Sequence, residues 1–547
     1  MLSQQRLMLA PLNTISLSPF VLILLVSLFV TISSNFSFVS HFSQEYEFNQ
    51  NISFLIALMA IIFSLNALIS AVFYCVLPLR WALAVMMLLS AISAYFSDEF
   101  GVIIDVEMIR NSLQTNMAEA SDLLTFDLIL RLALLAILPI TLLSKVSLKR
   151  NKNTVTWLTK IKPITAVLGF SFLVIALSIG LFSAQFTSFI RQHKELRYYI
   201  NPIQALYSGG KYIASQYQTS GKKTYINLAE KSQIPAADVQ RELIIMIVGE
   251  TVRADHWGLN GYERQTTPRL RKEQNIINYP NISSCGTSTA ISVPCMFSLS
   301  DRENFDVDTA ANTENAFDVI AKGGVSVLWR DNNSDSKGVA IRQRFEDFRT
   351  PERNTECDEE CRDIGMLVGL QDYIDRQEKD IFIVLHQMGN HGPAYYKRYP
   401  KAFEKYTPAC QTSELSNCSD QEIINAYDNT ILYTDYFLSK VIELLKTNTQ
   451  KFQGSMIYMS DHGESLGENG IYLHGLPYSF APESQTRVPL TVWTNTNSDI
   501  EIEATRRLAQ NANSHDALAK TLITLFELET DVEFNQAENL LIFKPAH

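Results

Sequence analysis

Asp461 and His462 stand side by side in the pentapeptide SDHGE, residues 460–464. The largely apolar run 455–459 comes directly before them and predicts a buried strand that opens into a loop at this pair. A carboxylate oxygen beside an imidazole nitrogen suits a divalent cation such as zinc, and α/β proteins place their chemistry at the carboxyl ends of strands. By itself the pentapeptide fits a metal site and a loop aspartate beside a structural histidine equally well.

The surrounding elements predict how such a site is positioned. Continuous apolar runs at 243–248, 325–329, 381–385 and 488–493 are separated by helix-like stretches such as 316–322, 364–376 and 423–445. Strands without alternation that are spaced by helices predict a largely parallel sheet covered by helices on both faces. Polar clusters follow several of these strands, at Glu250, 331–337, 386–391 and 461–464. Because the carboxyl ends of parallel strands meet at one edge, we expect these clusters to converge on one site.

A loop rich in small hydroxyl residues lies between the first two of these strands. Its sequence is SCGTSTAISVPC, residues 284–295, with Cys285 and Cys295 near its ends. Such a loop is suited to presenting a nucleophile, and its backbone amides could cradle an anion. It is equally compatible with a hydroxyl-stabilised turn that has no chemistry.

The first third of the chain predicts a membrane anchor. A chain of 547 residues suggests two or three domains. Apolar runs at 20–32, 52–77, 81–96, 128–143 and 164–182 each approach the ~20 residues that cross a bilayer once their flanks are counted. Arg131 lies inside the fourth run. The first run alone could be a signal peptide, but four further spans favour an uncleaved anchor.

Basic residues orient this anchor. Those between the fourth and fifth spans, with no acid among them, are Lys145, Lys149, Arg150, Lys152, Lys160 and Lys162. This pattern predicts a cytoplasmic loop, which places everything after residue 182 outside the cytoplasm. The sequence therefore predicts a transmembrane domain over 1–183, a juxtamembrane segment of interfacial helices and linker over 184–240, and an outer catalytic domain over 241–547.

The cysteines test that topology. Six of the seven fall into close pairs within the outer domain, namely Cys285 with Cys295, Cys357 with Cys361, and Cys410 with Cys418. Disulfides persist outside the cytoplasm, and a zinc ribbon is the competing interpretation, although the repeated CxxC spacing is missing. The net charge of -11 and the lack of a basic patch in the outer domain argue against a nucleic-acid partner.

Five motifs together carry a family resemblance. They are GET at 249–251, CGTSTA at 285–290 with its continuation to 297, HQMGNHGP at 386–393, YDNT at 427–430, and SDHGESLGENG at 460–470 followed by His474. With the five-span anchor and the paired cysteines, the chain resembles the lipid A phosphoethanolamine transferases. That family includes the mobile colistin-resistance enzymes.

The resemblance implies a sulfatase or alkaline-phosphatase-like catalytic domain with one tightly bound zinc. Thr289 would be the nucleophile and would complete a zinc site whose protein ligands are Glu250, Asp461 and His462. His391 and His474 would bind a substrate phosphate or a second zinc. The residues implied to line the substrate pocket are Asn333, Ser334, Lys337 and Glu464. His386 is close by in the sequence, and we expect it to be structural.

The implied reaction moves phosphoethanolamine from phosphatidylethanolamine to a phosphate of lipid A through a phospho-threonine intermediate. The expected setting is a monomer in the Gram-negative inner membrane, with the catalytic domain in the periplasm and resistance to polymyxins such as colistin as the outcome. Alternatives are the same transfer to core heptose, Kdo or periplasmic glucan, or a related glycerophosphate transferase or phosphodiesterase. A more distant alternative is an inactive membrane scaffold or sensor, which the complete set of ligand-type residues disfavours.

Overall fold

The computed structural model describes residues 16–115, 117–149, 158–219, 224–236, 238, 240–532 and 538–544. Arg150 and Lys152 of the predicted basic loop lie outside these ranges, as do several residues of the predicted linker. The chain divides into two compact units. One comprises Met1–Asp105 and Leu124–Gly209, and the other comprises Val106–Leu123 and Gly210–His547. The segment 106–123, which lies between two predicted spans in the sequence, therefore belongs to the second unit.

The first unit is built from apolar helices. Within the described residues, four of them are long and apolar enough to cross a membrane, namely Phe48–Val76, Leu79–Phe100, Phe126–Lys145 and Thr159–Leu181. The first predicted span corresponds to Pro19–Ser33, which reaches that length only together with Phe36–Glu45, and the two are bent by 54°. The predicted helical membrane bundle is thus confirmed, with four spans or five if the bent pair counts as one.

The first unit contains an ion pair and a π-helical stretch that both involve its fourth predicted span. Arg131 donates from Nη1 to Asp98 Oδ2 at 2.7 Å, so the charge inside the fourth predicted span has an acidic partner on a neighbouring helix. The span Phe126–Lys145 contains a π-helical stretch at Ala133–Ile137, directly before the helix Leu138–Lys145 that has Pro139 in its first turn. Further helices are Ser183–Gln192, the 3-10 helix Lys194–Tyr199, and Ile203–Thr219, which begins in this unit and ends in the second. A two-stranded ribbon pairs Ser16–Leu17 with Ser147–Leu148.

The second unit is organised around an eight-stranded sheet. Its strands are β1 (Glu242–Gly249), β2 (Ile276–Ser283), β3 (Ser326–Asp331), β4 (Phe345–Asp347), β5 (Ile381–His386), β6 (Gln453–Ser460), β7 (Arg487–Thr494) and β8 (Asn513–Ser514). The order across the sheet is β8-β2-β7-β6-β1-β5-β3-β4. Only β7 runs antiparallel to its neighbours, so the predicted largely parallel sheet is confirmed.

Helices cover both faces of this sheet. Alternate residues of β1 enter two different cores, with Ile244 on one face and Ile245 on the other. The helices Ala316–Lys322 and Leu518–Leu525 contribute to the first core, and Asp420–Thr447 contributes to the second. Each fully buried aliphatic side chain contributes about 1.5–3 kcal/mol, which explains why the central strands carry no polar alternation.

The helices of the second unit are mostly short. They are Val106–Gln114, Met117–Asp122, Thr289–Met296, Val307–Ala310, Ala316–Lys322, Leu370–Asp375, Asp420–Thr447, Glu483–Thr486, Ile502–Leu508 and Leu518–Leu525. The predicted helix at 364–376 is wrong as a single element. A 3-10 turn at Asp363–Leu367 and the helix Leu370–Asp375 are separated by Gly369, whose φ of 66° lies in the left-handed region and ends helical hydrogen bonding.

The six paired cysteines are bonded as the sequence predicts. Disulfides join Cys285 to Cys295, Cys357 to Cys361, and Cys410 to Cys418. The zinc-ribbon alternative is wrong, because these sulfurs bond to one another.

Candidate metal centre and nucleophile

Strand register brings the three predicted metal ligands together. Glu250 follows β1, Asp461 and His462 follow β6, and these parallel neighbours pair Gly249 with Ser460 at their last residues. All three side chains are fully buried, and one ligand atom from each lies within 4.8 Å of the others. The carboxyl end of the sheet thus places two carboxylates and an imidazole at one point.

Hydrogen bonding shows which atoms face that point. His462 Nδ1 lies 2.9 Å from the carbonyl oxygen of Gly463, which can only accept, so Nδ1 donates and Nε2 carries the lone pair. Nε2 lies 3.5 Å from Glu250 Oε1 and 3.4 Å from Asp461 Oδ2. Both oxygens are buried, and among the residues that the structure describes neither has a hydrogen-bond partner. Three acceptors that face one another without a proton donor fit a bound cation.

The electrostatics favour the same interpretation. Burial, followed by the neighbouring Asp461 carboxylate, holds the pKa of Glu250 well above its usual range. Burial also lowers the pKa of His462, which favours the neutral imidazole that binds metals. A divalent cation would relieve the repulsion between the two carboxylates, and this oxygen and nitrogen donor set suits zinc.

Thr289 lies directly beside these ligands. It is the first residue of the helix Thr289–Met296, after Ser288 at the N-cap, and it is buried. Its Oγ1 lies 3.1 Å from Glu250 Oε2, to which the hydroxyl donates, and 3.4 Å from His462 Nε2. A hydroxyl at a helix N-terminus, next to a cation site, is well placed to meet a phosphate.

Hydroxyl groups and the disulfide hold the loop that carries Thr289. Ser284 Oγ donates to Gly286 O at 2.6 Å, and Gly286 N donates to Ser292 Oγ at 2.9 Å. Thr287 Oγ1 donates to the carbonyl of Leu476 at 2.6 Å. The hydroxyl groups of this loop therefore stabilise its turn, and the same turn fixes the orientation of the Thr289 side chain.

Two further histidines lie beside His462. The ring centroid of His474 is 4.3 Å from that of His462 and 5.2 Å from that of His391. His474 Nδ1 donates to Glu464 Oε2 at 2.8 Å, and Tyr395 donates to Glu464 Oε1 at 2.7 Å. Burial alone would lower the pKa of His474, but the Glu464 carboxylate raises it overall. Burial holds the pKa of His391 well below its usual range.

The residues predicted to line the substrate pocket differ in the groups that they contact. Asn333 Nδ2 donates to Glu250 Oε2 and to the carbonyl of Gln387, each at 2.7 Å, so it orients the Glu250 carboxylate. Glu464 orients His474, as described above. Ser334 is buried in the same loop as Asn333. Lys337 Nζ donates to the carbonyl of Gln114 at 3.0 Å, and burial lowers its pKa.

His386 and the YDNT motif have supporting contacts. His386 Nδ1 lies 2.8 Å from Asp331 Oδ2 in a fully buried pair. Tyr427 donates to the carbonyl of Thr251 at 2.6 Å and accepts from Arg253 N at 2.9 Å. The motif thus holds the turn that follows Glu250.

Three residues near the centre were not predicted. Glu119 Oε2 lies 3.7 Å from His391 Nε2. Asp363 accepts from the backbone amides of Met388 at 2.9 Å and Gly389 at 3.1 Å. His515 accepts from the backbone amide of Cys285 at 3.1 Å through Nδ1, and donates to the carbonyl of Ser460 at 3.0 Å through Nε2. No local motif marks these residues, because each reaches the centre from a distant segment.

Comparisons with known proteins agree with this architecture. The family model described as "Sulfatase" matches residues 242–528, and "Phosphoethanolamine transferase EptA/EptB" matches residues 58–217. Phosphatidylethanolamine transferase Mcr-1 of Escherichia coli is 42% identical over 94% of this chain and 96% of its own length. Phosphoethanolamine transferase EptA of Salmonella typhimurium is 36% identical over 95% and 96%. The solved structure of the integral membrane lipooligosaccharide phosphoethanolamine transferase A (EptA) from Neisseria meningitidis has a TM-score of 0.90 and 32% identity, covering 97% of this chain and 100% of that one.

Proposed function

Because the chain belongs to the EptA/EptB phosphoethanolamine transferase family, we propose that it transfers phosphoethanolamine from phosphatidylethanolamine to a phosphate of lipid A. The observation that carries this proposal is the Thr289 hydroxyl beside a donor-free pair of buried carboxylate oxygens and an imidazole lone pair. Apolar helices long enough to cross a membrane, together with the similarity to the integral membrane protein EptA, support a location in the Gram-negative inner membrane with the catalytic unit in the periplasm. Both substrates are lipids, so a membrane anchor keeps the enzyme beside them.

We propose zinc as the cofactor, held by Glu250, Asp461 and His462 with Thr289 Oγ1 completing the site. Bound there, zinc would favour the alkoxide form of the hydroxyl and offset the negative charge of the phosphate. All of these groups come from one chain, so a monomer is sufficient.

The reaction divides into two half-reactions at Thr289. In the first, Oγ1 attacks the phosphorus of phosphatidylethanolamine, an Oγ–P bond forms, and the bond to the diacylglycerol oxygen breaks. The hydroxyl proton leaves along its 3.1 Å hydrogen bond to Glu250 Oε2 and passes to the departing diacylglycerol oxygen, so that diacylglycerol leaves as the alcohol. In the second, an oxygen of a hydrogen phosphate group of lipid A attacks the same phosphorus and the Oγ–P bond breaks. The proton of that phosphate then returns to Oγ1, which restores the threonine hydroxyl.

Other residues position and neutralise the phosphate. The N-terminus of the helix Thr289–Met296 offers its amides and the positive end of its dipole. We assign His391 and His474 to substrate phosphate, since their rings line the same point and Glu464 fixes His474. Phosphoryl transfer depends mainly on such positioning and charge compensation. Asn333 serves the site by orienting Glu250. We propose Ser334 and Lys337 as pocket residues from their position in the same loop.

The product explains an expected phenotype. Each transferred group adds an ammonium to lipid A, which lowers the net negative charge that attracts cationic polymyxins. Expression should therefore reduce susceptibility to colistin.

Replacing the nucleophile tests the proposal. Mass spectra of lipid A from cells that express the wild type should show added phosphoethanolamine, and cells with Thr289→Ala should show none. Thr289→Ser is the matched control, because it keeps a hydroxyl at the same position and should retain part of the activity. Equal Tm values would show that the fold is intact. Transfer by Thr289→Ala would refute the role of Thr289, and modification of Kdo, core heptose or glucan instead would reassign the acceptor.

A further inference from the structure

A second cluster of carboxylates lies at the opposite end of the sheet. Glu242 is the first residue of β1, and Asp380 directly precedes β5, the parallel neighbour of β1. Asp238 comes from the segment before β1, and one oxygen from each of these three residues lies within 4.8 Å of the others. We call these three residues the basal carboxylate cluster. With eight residues in β1, it is separated from Glu250 by roughly 25 Å.

Buried oxygens without partners distinguish this cluster from an ordinary acidic surface. Glu242 is only 4% exposed, and within the described part of the chain its buried Oε2 has no hydrogen-bond partner. Asp238 Oδ2 is also buried, and no residue that the structure describes forms a hydrogen bond with it. The two aspartates are oriented by backbone amides, since Asp380 Oδ1 accepts from Glu242 N and Asp238 Oδ1 accepts from Gln240 N, each at 3.1 Å. A buried carboxylate oxygen that faces other carboxylates is costly unless a cation or a proton compensates it.

Nearby charged residues increase the need for a cation or a proton that compensates these carboxylates. Besides burial, the negative charge of Asp499 raises the pKa of Glu242. Burial, followed by the charges of Asp499 and Asp380, raises the pKa of Glu527, so further negative charge surrounds the cluster. The positive charge of Arg241 acts on Asp380 and favours its ionised form. However, Arg241 Nη2 donates its hydrogen bonds to the carbonyl oxygens of Gln377 at 2.9 Å and Lys379 at 2.6 Å. Burial, followed by the Asp380 and Asp238 charges, raises the pKa of Glu242. Among the described residues, therefore, no base forms a salt bridge with Asp238, Glu242 or Asp380, although the charge of Arg241 acts on Asp380.

We propose that Asp238, Glu242 and Asp380 bind a hard divalent cation, Ca²⁺ or Mg²⁺. The donor set is oxygen alone, which suits these ions, in contrast to the imidazole-containing centre at the other end of the sheet. The ion would join the segment before β1 to the start of β5, and so stabilise the central pair of strands where the chain enters the sheet. This site is separate from the transfer reaction and does not rest on it.

A competing explanation is a proton shared by Glu242 and Asp380. It would satisfy the facing oxygens of Glu242 and Asp380 without an ion, but it would not compensate Asp238 Oδ2. Metal binding and its effect on stability separate the two explanations.

The test uses the full-length protein in detergent, freed of loosely bound divalent ions and kept at a fixed free zinc concentration. Calcium binding is measured with ⁴⁵Ca²⁺, Mg²⁺ is tested in a parallel arm by calorimetry, and Tm is recorded with each ion. The wild type should bind one ion per chain, and saturation should raise Tm by roughly 5 °C. Comparing the two arms identifies which hard ion is preferred.

Glu242→Gln should lose both the binding and the rise in Tm. Without the ion, its Tm should equal or exceed that of the wild type, because the substitution removes a repelling charge, and this result excludes misfolding. Glu443→Gln is the matched control, since Glu443 lies on the surface of the helix Asp420–Thr447 and pairs with Lys440. It should bind the ion normally. No binding of either ion by the wild type would overturn the proposal in favour of the shared proton. Unchanged binding by Glu242→Gln would overturn it by showing that the ion binds elsewhere.

Discussion

Gly389 is where the loop after β5 touches the backbone of Glu250. Its φ is 57°, and a Cβ added there would lie 2.9 Å from Glu250 Cβ, 3.0 Å from its carbonyl oxygen and 3.1 Å from its nitrogen. Hydrogen bonds hold both the loop and the backbone of Glu250 in place. Gly389 N donates to Asp363 Oδ2 at 3.1 Å, and Asn390 N donates to Glu250 O at 3.2 Å. Gly389→Ala should therefore displace Glu250.

Two separate costs set the expected magnitude. A non-glycine residue in the left-handed region costs about 1–2 kcal/mol of stability. Carbon atoms prefer separations of about 3.5–4.0 Å, so the added Cβ implies a shift of roughly 0.5–1 Å at Glu250. A displacement of about 1 Å near the reacting groups costs about 10²-fold in rate. Gly369→Ala is the matched control, because its φ is 66° and a Cβ there meets nothing within 4 Å, so only the first cost applies.

The assay compares the two variants with the wild type. Tm, zinc per chain by mass spectrometry, and the rate of phosphoethanolamine transfer to lipid A are measured for each. Both variants should lose similar stability from φ, while Gly389→Ala alone should lose zinc and about 10²-fold in rate. If its zinc content and rate match those of Gly369→Ala, the close approach does not position Glu250 and the reasoning is wrong.

Three further results are expected. Asn333→Ala removes one donor to Glu250 Oε2, so zinc affinity should fall about 10–100-fold in a chelator competition, with activity recovered at excess zinc; unchanged affinity would contradict this role. His515→Ala leaves the Cys285 amide and the Ser460 carbonyl without their partner, at about 1–3 kcal/mol each, and calorimetry should show a lower Tm; an unchanged Tm would mean that water replaces the ring. Chelation of zinc should abolish transfer and lower Tm, and zinc but not calcium should restore activity; transfer by metal-free protein would exclude the proposed cofactor.

Local patterns account for most of the architecture that could be predicted. The apolar run 243–248 became β1, and the helix Ala316–Lys322 has the bounds expected from its sequence. Hydrophobic runs and their spacing are properties of neighbouring residues, so they can be recognised without the fold. The strand β2, Ile276–Ser283, was missed because its asparagines and proline interrupt the apolar run, and it becomes a strand through pairing with β7 and β8.

For the candidate site, too, some features follow from the sequence and others only from the tertiary structure. The sequence by itself determined the membrane anchor, the α/β class, the disulfide pairs and, through short motifs, the kinds of residue that could bind a metal and attack a phosphate. Only the tertiary structure decided that Glu119, Asp363 and His515 lie at the centre, and that Glu242 faces two aspartates at the other end of β1. The physical reason is that a motif specifies donor atoms over a few residues, whereas strand register and loop packing determine which distant atoms come within bonding distance.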